Sequence, residues 1–109
     1  MSVPLISFVA TLVLAVSASA TAAPVTPEAL AAKAGCTLCH AKDKKVVGPA
    51  LHAIAAKYKS NSKAPALLAA TVRHGSKGAW GKDSVMPPVA AAQISDPELA
   101  AVIAWVLQQ

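Results

Sequence analysis

An all-α domain of about four helices, wrapped around a bound cofactor, is what the sequence predicts, on three observations. Four stretches of the 109-residue chain carry helix-start signals followed by apolar residues at helical spacing, and none alternates as a strand does. Past residue 22 the aromatic residues are Tyr58, Trp80 and Trp105 alone, and alanine, which buries little area, supplies much of the apolar content. A chain this short needs something besides its own side chains at its centre. Two cysteines allow at most one disulfide, and Cys36 and Cys39 would close a loop too small to constrain much. A cofactor is the better filler.

Residues 1–27 precede the first charged side chain, Glu28. Val3 to Val16 is mostly apolar (Leu5, Ile6, Phe8, Val9, Leu12, Val13, Leu14) and gives way to the small residues Ser17 to Ala23. This predicts a secretory signal peptide over 1–22, with Ala20-Thr21-Ala22 as the A-x-A site cut before Ala23. The mature domain is then 23–109, which is 87 residues. The start of the chain has no Lys or Arg, and Val3 to Ala23 is long enough to span a bilayer, which needs ~20 apolar residues. A retained membrane anchor is the alternative.

Within the mature part, Thr26-Pro27-Glu28 gives an N-cap, a first-turn proline and a first-turn acid, and Gly35 stops that helix. Gly48-Pro49 opens a second helix to Lys57 or Tyr58, with Leu51, Ile54, Ala55 and Tyr58 on one face. Lys59 to Lys63 is a polar linker. Pro65 starts a third helix that ends at His74-Gly75. Gly75 to Ser84 has three glycines and no periodicity, and reads as a long loop of the kind that is usually functional. Ser95-Asp96-Pro97-Glu98 is a capping box that launches Leu99 to Gln109, with Leu99, Val102, Ile103 and Val106 as the buried stripe.

Cys36-Thr37-Leu38-Cys39-His40 carries the chemistry. C-x-x-C-H is the attachment sequence of a c-type haem: two thiols add to the two vinyl groups, and the adjacent histidine falls beneath the iron as its proximal ligand. A thioredoxin-type dithiol needs a βαβ context that this chain lacks. A zinc site needs two more ligands, and only His52 and His74 remain. For the sixth iron position the residues favour Met86, the one methionine left after processing, which ends the long loop and is stiffened by Pro87-Pro88. His52 and His74 are the alternatives.

From Glu28 onward the chain resembles the small soluble class I cytochromes c of respiring bacteria. The residues that carry the likeness are Gly35 to His40, Val47-Gly48-Pro49-Ala50, Gly75 to Gly81, Met86-Pro87-Pro88 and Trp105-Val106-Leu107. The resemblance implies the small cytochrome c fold around one haem c. It implies that the Pro49 carbonyl accepts a hydrogen bond from the His40 ring and that Trp80 lies along the haem, offering its indole N–H to a propionate. It also implies that the C-terminal helix crosses the N-terminal one near Trp105. Three departures from the family pattern stand out. Ala31 and Ala32 occupy positions where a bulky residue is usual, the loop Gly81 to Met86 is one residue longer and lacks prolines before Met86, and Val89 stands where a polar residue is common.

The expected function is single-electron transfer between respiratory redox proteins in the periplasm, by a monomer that is not an enzyme. No acid–base pair flanks the iron position and both axial sites have a candidate. A haem peroxidase or ligand sensor, with Met86 not ligating, is the competing class, and a haem-free interaction domain is a third. Ten basic residues against five acids give +5. Lys42, Lys44 and Lys45 follow the attachment motif and Lys77 and Lys82 flank Trp80, so steering toward partners with acidic docking surfaces is expected, with plain solvation as the alternative. The basic residues show no nucleic-acid pattern.

Overall fold

Thr26 starts α1 (Pro27–Lys33) by accepting the Ala29 N–H on its hydroxyl at 3.1 Å, with Pro27 in the first turn. Here the computed structural model of the protein, which describes residues 1–5, 8–21 and 23–109, enters its folded part. Ile6 of the apolar run and Ala22, the last residue before the expected cut, lie outside the described residues. The described residues before Thr26 form no helix or strand and are exposed. Among the described residues no helix is long and apolar enough to cross a membrane.

After α1 the chain needs a left-handed residue to stop the helix. Gly35, at φ 86°, supplies it and turns into a 3₁₀ turn over Cys36–Leu38. Helix α2 spans Leu51–Tyr58, two residues later than Gly48-Pro49 suggested. The reason is where its first donors go: the Leu51 and His52 N–H groups bond to the carbonyls of Ala41 and Lys42 (2.9 and 3.1 Å). The preceding loop thus satisfies the orphan donors of the first turn and leaves Gly48 to Ala50 ahead of the helix. Helix α3 spans Ala64–His74 and α4 spans Asp96–Val106. The capping box of α4 forms in both directions, with Glu98 N–H donating to Ser95 Oγ and Ser95 N–H to Glu98 Oε1. The helix stops three residues short of the expected Gln109.

The stretch read as a loop without structure contains a minimal hairpin, which corrects the expectation of no strand. β1 (Ser76–Lys77) and β2 (Val85–Met86) pair antiparallel, Ser76 opposite Met86 and Lys77 opposite Val85. Two-residue strands are too short to show alternation. Gly75, Gly78 and Gly81 all take positive φ, and Ser84 Oγ ties the tip by accepting the Trp80 N–H and donating to the Gly81 carbonyl. The rest is helical, as expected.

Helix α4 is the hub, packing on α1, α2 and α3. The buried cluster is Ala31, Ala34, Ile94, Leu99, Val102 and Ile103, with Trp105 half-buried against it, so the expected α1–α4 contact near Trp105 is present. Ala31 is only 1 % exposed: a small residue at the crossing lets the helices close on it. Among the described residues no large side chain is fully buried.

The capping box makes a pH-resolved prediction. Hydrogen bonds from Ser95, side chain first and backbone second, hold the Glu98 carboxyl below its ordinary value. A depressed carboxylate contributes stability above its unfolded pKa and loses it as pH falls through the folded one. Ser95→Ala should therefore lower the melting temperature at neutral pH, and thermal melts should show that difference shrinking at acid pH. A pH-independent difference would argue against the ionised capping box.

Candidate functional site

The 3₁₀ turn after Gly35 fixes the first part of the site. Cys36 accepts both the Cys39 and His40 N–H groups on its carbonyl (3.2 and 2.9 Å), which curls the motif and leaves both free cysteines half-buried on one wall. Burial pushes the Cys36 thiol up, against a backbone hydrogen bond that lowers it, with the nearby Cys39 adding to the rise.

His40 is held by the loop that follows it. Its Nδ1 lies 2.7 Å from the Pro49 carbonyl oxygen, an atom that can only accept, so Nδ1 carries the proton and Nε2 keeps its lone pair. The loop is pulled in by the Gly48 N–H donating to the Cys39 carbonyl at 2.8 Å. A Cβ on Gly48 would sit 2.5 Å from Cε1 and 2.9 Å from Nδ1 of the His40 ring. Glycine is what lets the backbone lie against the imidazole.

Met86 comes from β2. Its placement depends on Gly75, at φ 75°, where a Cβ would meet the Met86 carbonyl oxygen at 2.6 Å. Trp80 sits half-buried at the hairpin, with the Lys57 ammonium 4.5 Å from its ring centroid and 3.4 Å from the Ala79 carbonyl oxygen.

All six expected site residues, Cys36, Cys39, His40, Pro49, Trp80 and Met86, line one cleft. Ile54, Leu68, Val72, Leu99 and Val102 complete its apolar walls, and it encloses about 1260 Å³ with its open mouth included. The alternative ligands are elsewhere: His52 is exposed with Nε2 2.7 Å from Asp43 Oδ1, and His74 is exposed at the end of α3. Lys42 lies 3.7 Å from Glu28 and 5.8 Å from the ring centroid of Trp105, which lines the cleft. The donor set fits a c-type haem: two thiols on one wall, an imidazole with its outer nitrogen free, a thioether, and apolar sides.

Comparison with known proteins decides the family. Residues 22–106 match the family model described as cytochrome c oxidase, cbb3-type, subunit III. The chain is 49 % identical over 83 residues to cytochrome c2 of Rubrivivax gelatinosus, covering 76 % of this chain and 96 % of that one. The chain belongs to the cytochrome c family. It is 45 % identical to cytochrome c-551 of Pseudomonas aeruginosa, with 76 % of each chain covered. The crystal structure of wild-type cytochrome c552 of Nitrosomonas europaea superposes with a TM-score of 0.66 at 43 % identity, covering 72 % of this chain and 94 % of that one. The protein is thus a small class I monohaem cytochrome, an electron-transfer protein and not an enzyme, with haem c bound covalently at its two cysteines.

Two contributors went unread in the sequence. Gly48 was visible as part of a motif, but its contact with the His40 ring was not. Lys57 had no signal, because its partners Ala79 and Trp80 are more than twenty residues away.

Gly48→Ala should displace the His40 ring and lengthen its bond to Pro49, lowering holoprotein yield and shifting the ferric absorption spectrum. An unchanged yield and spectrum would show that the loop yields at little cost.

Proposed function

We propose that this cytochrome is a periplasmic single-electron carrier in which His40 and Met86 are the axial ligands of one haem c. The observation that carries the reading is that the one methionine beyond the N-terminal segment and the histidine of the attachment motif line the same cleft, while His52 and His74 stand outside it. When bound, haem c supplies a one-electron Fe(III)/Fe(II) couple, which thioether ligation shifts toward the ferrous form. The chain's own residues do the rest. Pro49 fixes the His40 tautomer, Trp80 flanks the cleft, and Leu68, Val72, Leu99 and Val102 keep water from its walls.

Export is supported by the order of the first residues: the apolar run, then the small residues to Ala23. On this reading 1–22 is removed as a signal peptide and 23–109 works as a monomeric cytochrome domain. The membrane is involved only if that segment is retained. Its partners are redox proteins of the respiratory chain with acidic docking faces, because Lys44, Lys45, Lys77 and Lys82 are exposed on the segments that carry Val47 and Val85 to the cleft mouth.

Met86→Ala should abolish the near-infrared ligand-to-iron charge-transfer band of the oxidised protein, open the iron to cyanide and lower the reduction potential. A variant with the wild-type spectrum would move suspicion to His52 or His74.

Docking should depend on salt, since exposed charges are screened over ~10 Å at about 0.1 M ionic strength. The second-order rate with an acidic partner should fall with added salt, and less steeply when Lys44, Lys45 and Lys82 are changed to Gln. Equal salt slopes in stopped-flow kinetics would defeat steering while leaving the carrier role intact.

A further inference from the structure

Met86 is followed by two prolines, and this creates a problem of attachment. Pro87 and Pro88 have no N–H, so the backbone immediately after Met86 cannot be held by its own donors. The first available donor is Val89 N–H, which bonds to the Val72 carbonyl of α3 at 2.8 Å. The next residue of α3 is Arg73, the only arginine in the chain. One of its guanidinium nitrogens lies 3.3 Å from the Val89 carbonyl oxygen; the other lies 2.8 Å from the Ile94 carbonyl oxygen and 2.6 Å from Asp96 Oδ1. The Arg73 side chain is only 19 % exposed, whereas that of Asp96 is 88 % exposed. The remaining bonds of the intervening stretch are local, among Ala90, Gln93 and Ile94.

We propose that Arg73 is a positioning residue for Met86. Its guanidinium pins the arm from Val89 to Asp96 onto the end of α3, and thereby sets how readily the Met86 thioether leaves the iron. The inference rests on the proposed His40/Met86 ligation. Upstream of Met86 the chain is held by β1 and the tight approach of Gly75; downstream, Val72 and Arg73 hold it. Both brackets come from the same end of α3. A fork of fixed donors suits oxygens on three different residues, which a single lysine ammonium cannot reach together. The bonds to the two carbonyls carry most of the effect, because an ion pair with a carboxylate as exposed as that of Asp96 is worth little.

Cyanide binding to the ferric holoprotein tests this, because cyanide must wait for Met86 to leave. Arg73→Ala should bind cyanide roughly tenfold faster, the scale expected for losing hydrogen bonds from a charged donor, and should weaken the near-infrared band. Arg73→Lys should fall between Arg73→Ala and wild type, and Asp96→Asn should stay near wild type. Thr26→Ala, which uncaps the distant α1, controls for general destabilisation: it should melt earlier yet bind cyanide at the wild-type rate. An Arg73→Ala rate equal to that of wild type overturns the inference. So does an acceleration that Thr26→Ala matches. If Arg73→Ala gives no holoprotein, Arg73→Lys decides, and a wild-type rate overturns the inference. Met86→Ala separates the two readings: if it binds cyanide no faster than wild type, the ligation reading fails and this inference with it.

Discussion

The hydrogen bond between His40 Nδ1 and the Pro49 carbonyl, 2.7 Å long, ties the two halves of the site together. It can form only because Gly48 carries no Cβ and its N–H reaches back to the Cys39 carbonyl. The same fold-back presents the Ala41 and Lys42 carbonyls to the first donors of α2, so the loop that orients the histidine also starts the next helix. Moving this loop would disturb the tautomer of His40, the wall made by Leu51 and Ile54, and the start of α2 at once. A neutral imidazole donating to a carbonyl is also the more basic ligand at its other nitrogen.

The packing around that loop makes sense for a protein whose centre is a cofactor. Ala31, Ala34, Ala55 and Ala64 are buried, and no large side chain is fully buried among the described residues. Leu68, Val72 and Trp105, only partly buried, instead line the cleft. Their burial is completed by haem c, which therefore adds to stability as any tightly held group does. Alanine at the α1–α4 crossing serves the same plan, since it brings α1, and the cysteines just after it, close to the hub helix.

Much of this was legible because it is local. Thr26, Gly35 and the Ser95–Glu98 box act within four residues of themselves, so the starts of α1 and α4 and the stop of α1 could be read from spacing. C-x-x-C-H is equally local, and Met86 stood out by being alone. The start of α2 was misplaced because its first donors are satisfied from outside the helix. The hairpin was missed because two-residue strands leave no period. Lys57 on Trp80, Lys42 near Trp105 and Arg73 on Val89 and Ile94 are separated by 16 to 63 positions, and no pattern in one sequence announces such pairs.

The polar contacts of the site divide into two kinds that respond differently to their surroundings. His40 on Pro49 and Arg73 on Val89 and Ile94 are part-buried bonds to backbone carbonyls. Their strength depends on geometry and exclusion of water, so dissolved salt barely touches them. Lys44, Lys45, Lys77 and Lys82 are exposed point charges with no described carboxylate within ion-pair distance. Their influence reaches outward and is screened within a few water layers. A carrier that must keep its ligand set unchanged through many encounters, yet release each partner quickly, benefits from this division. The proposed axial ligands are fixed by bonds that the medium does not modulate, while the contacts a partner would meet are the ones the medium weakens.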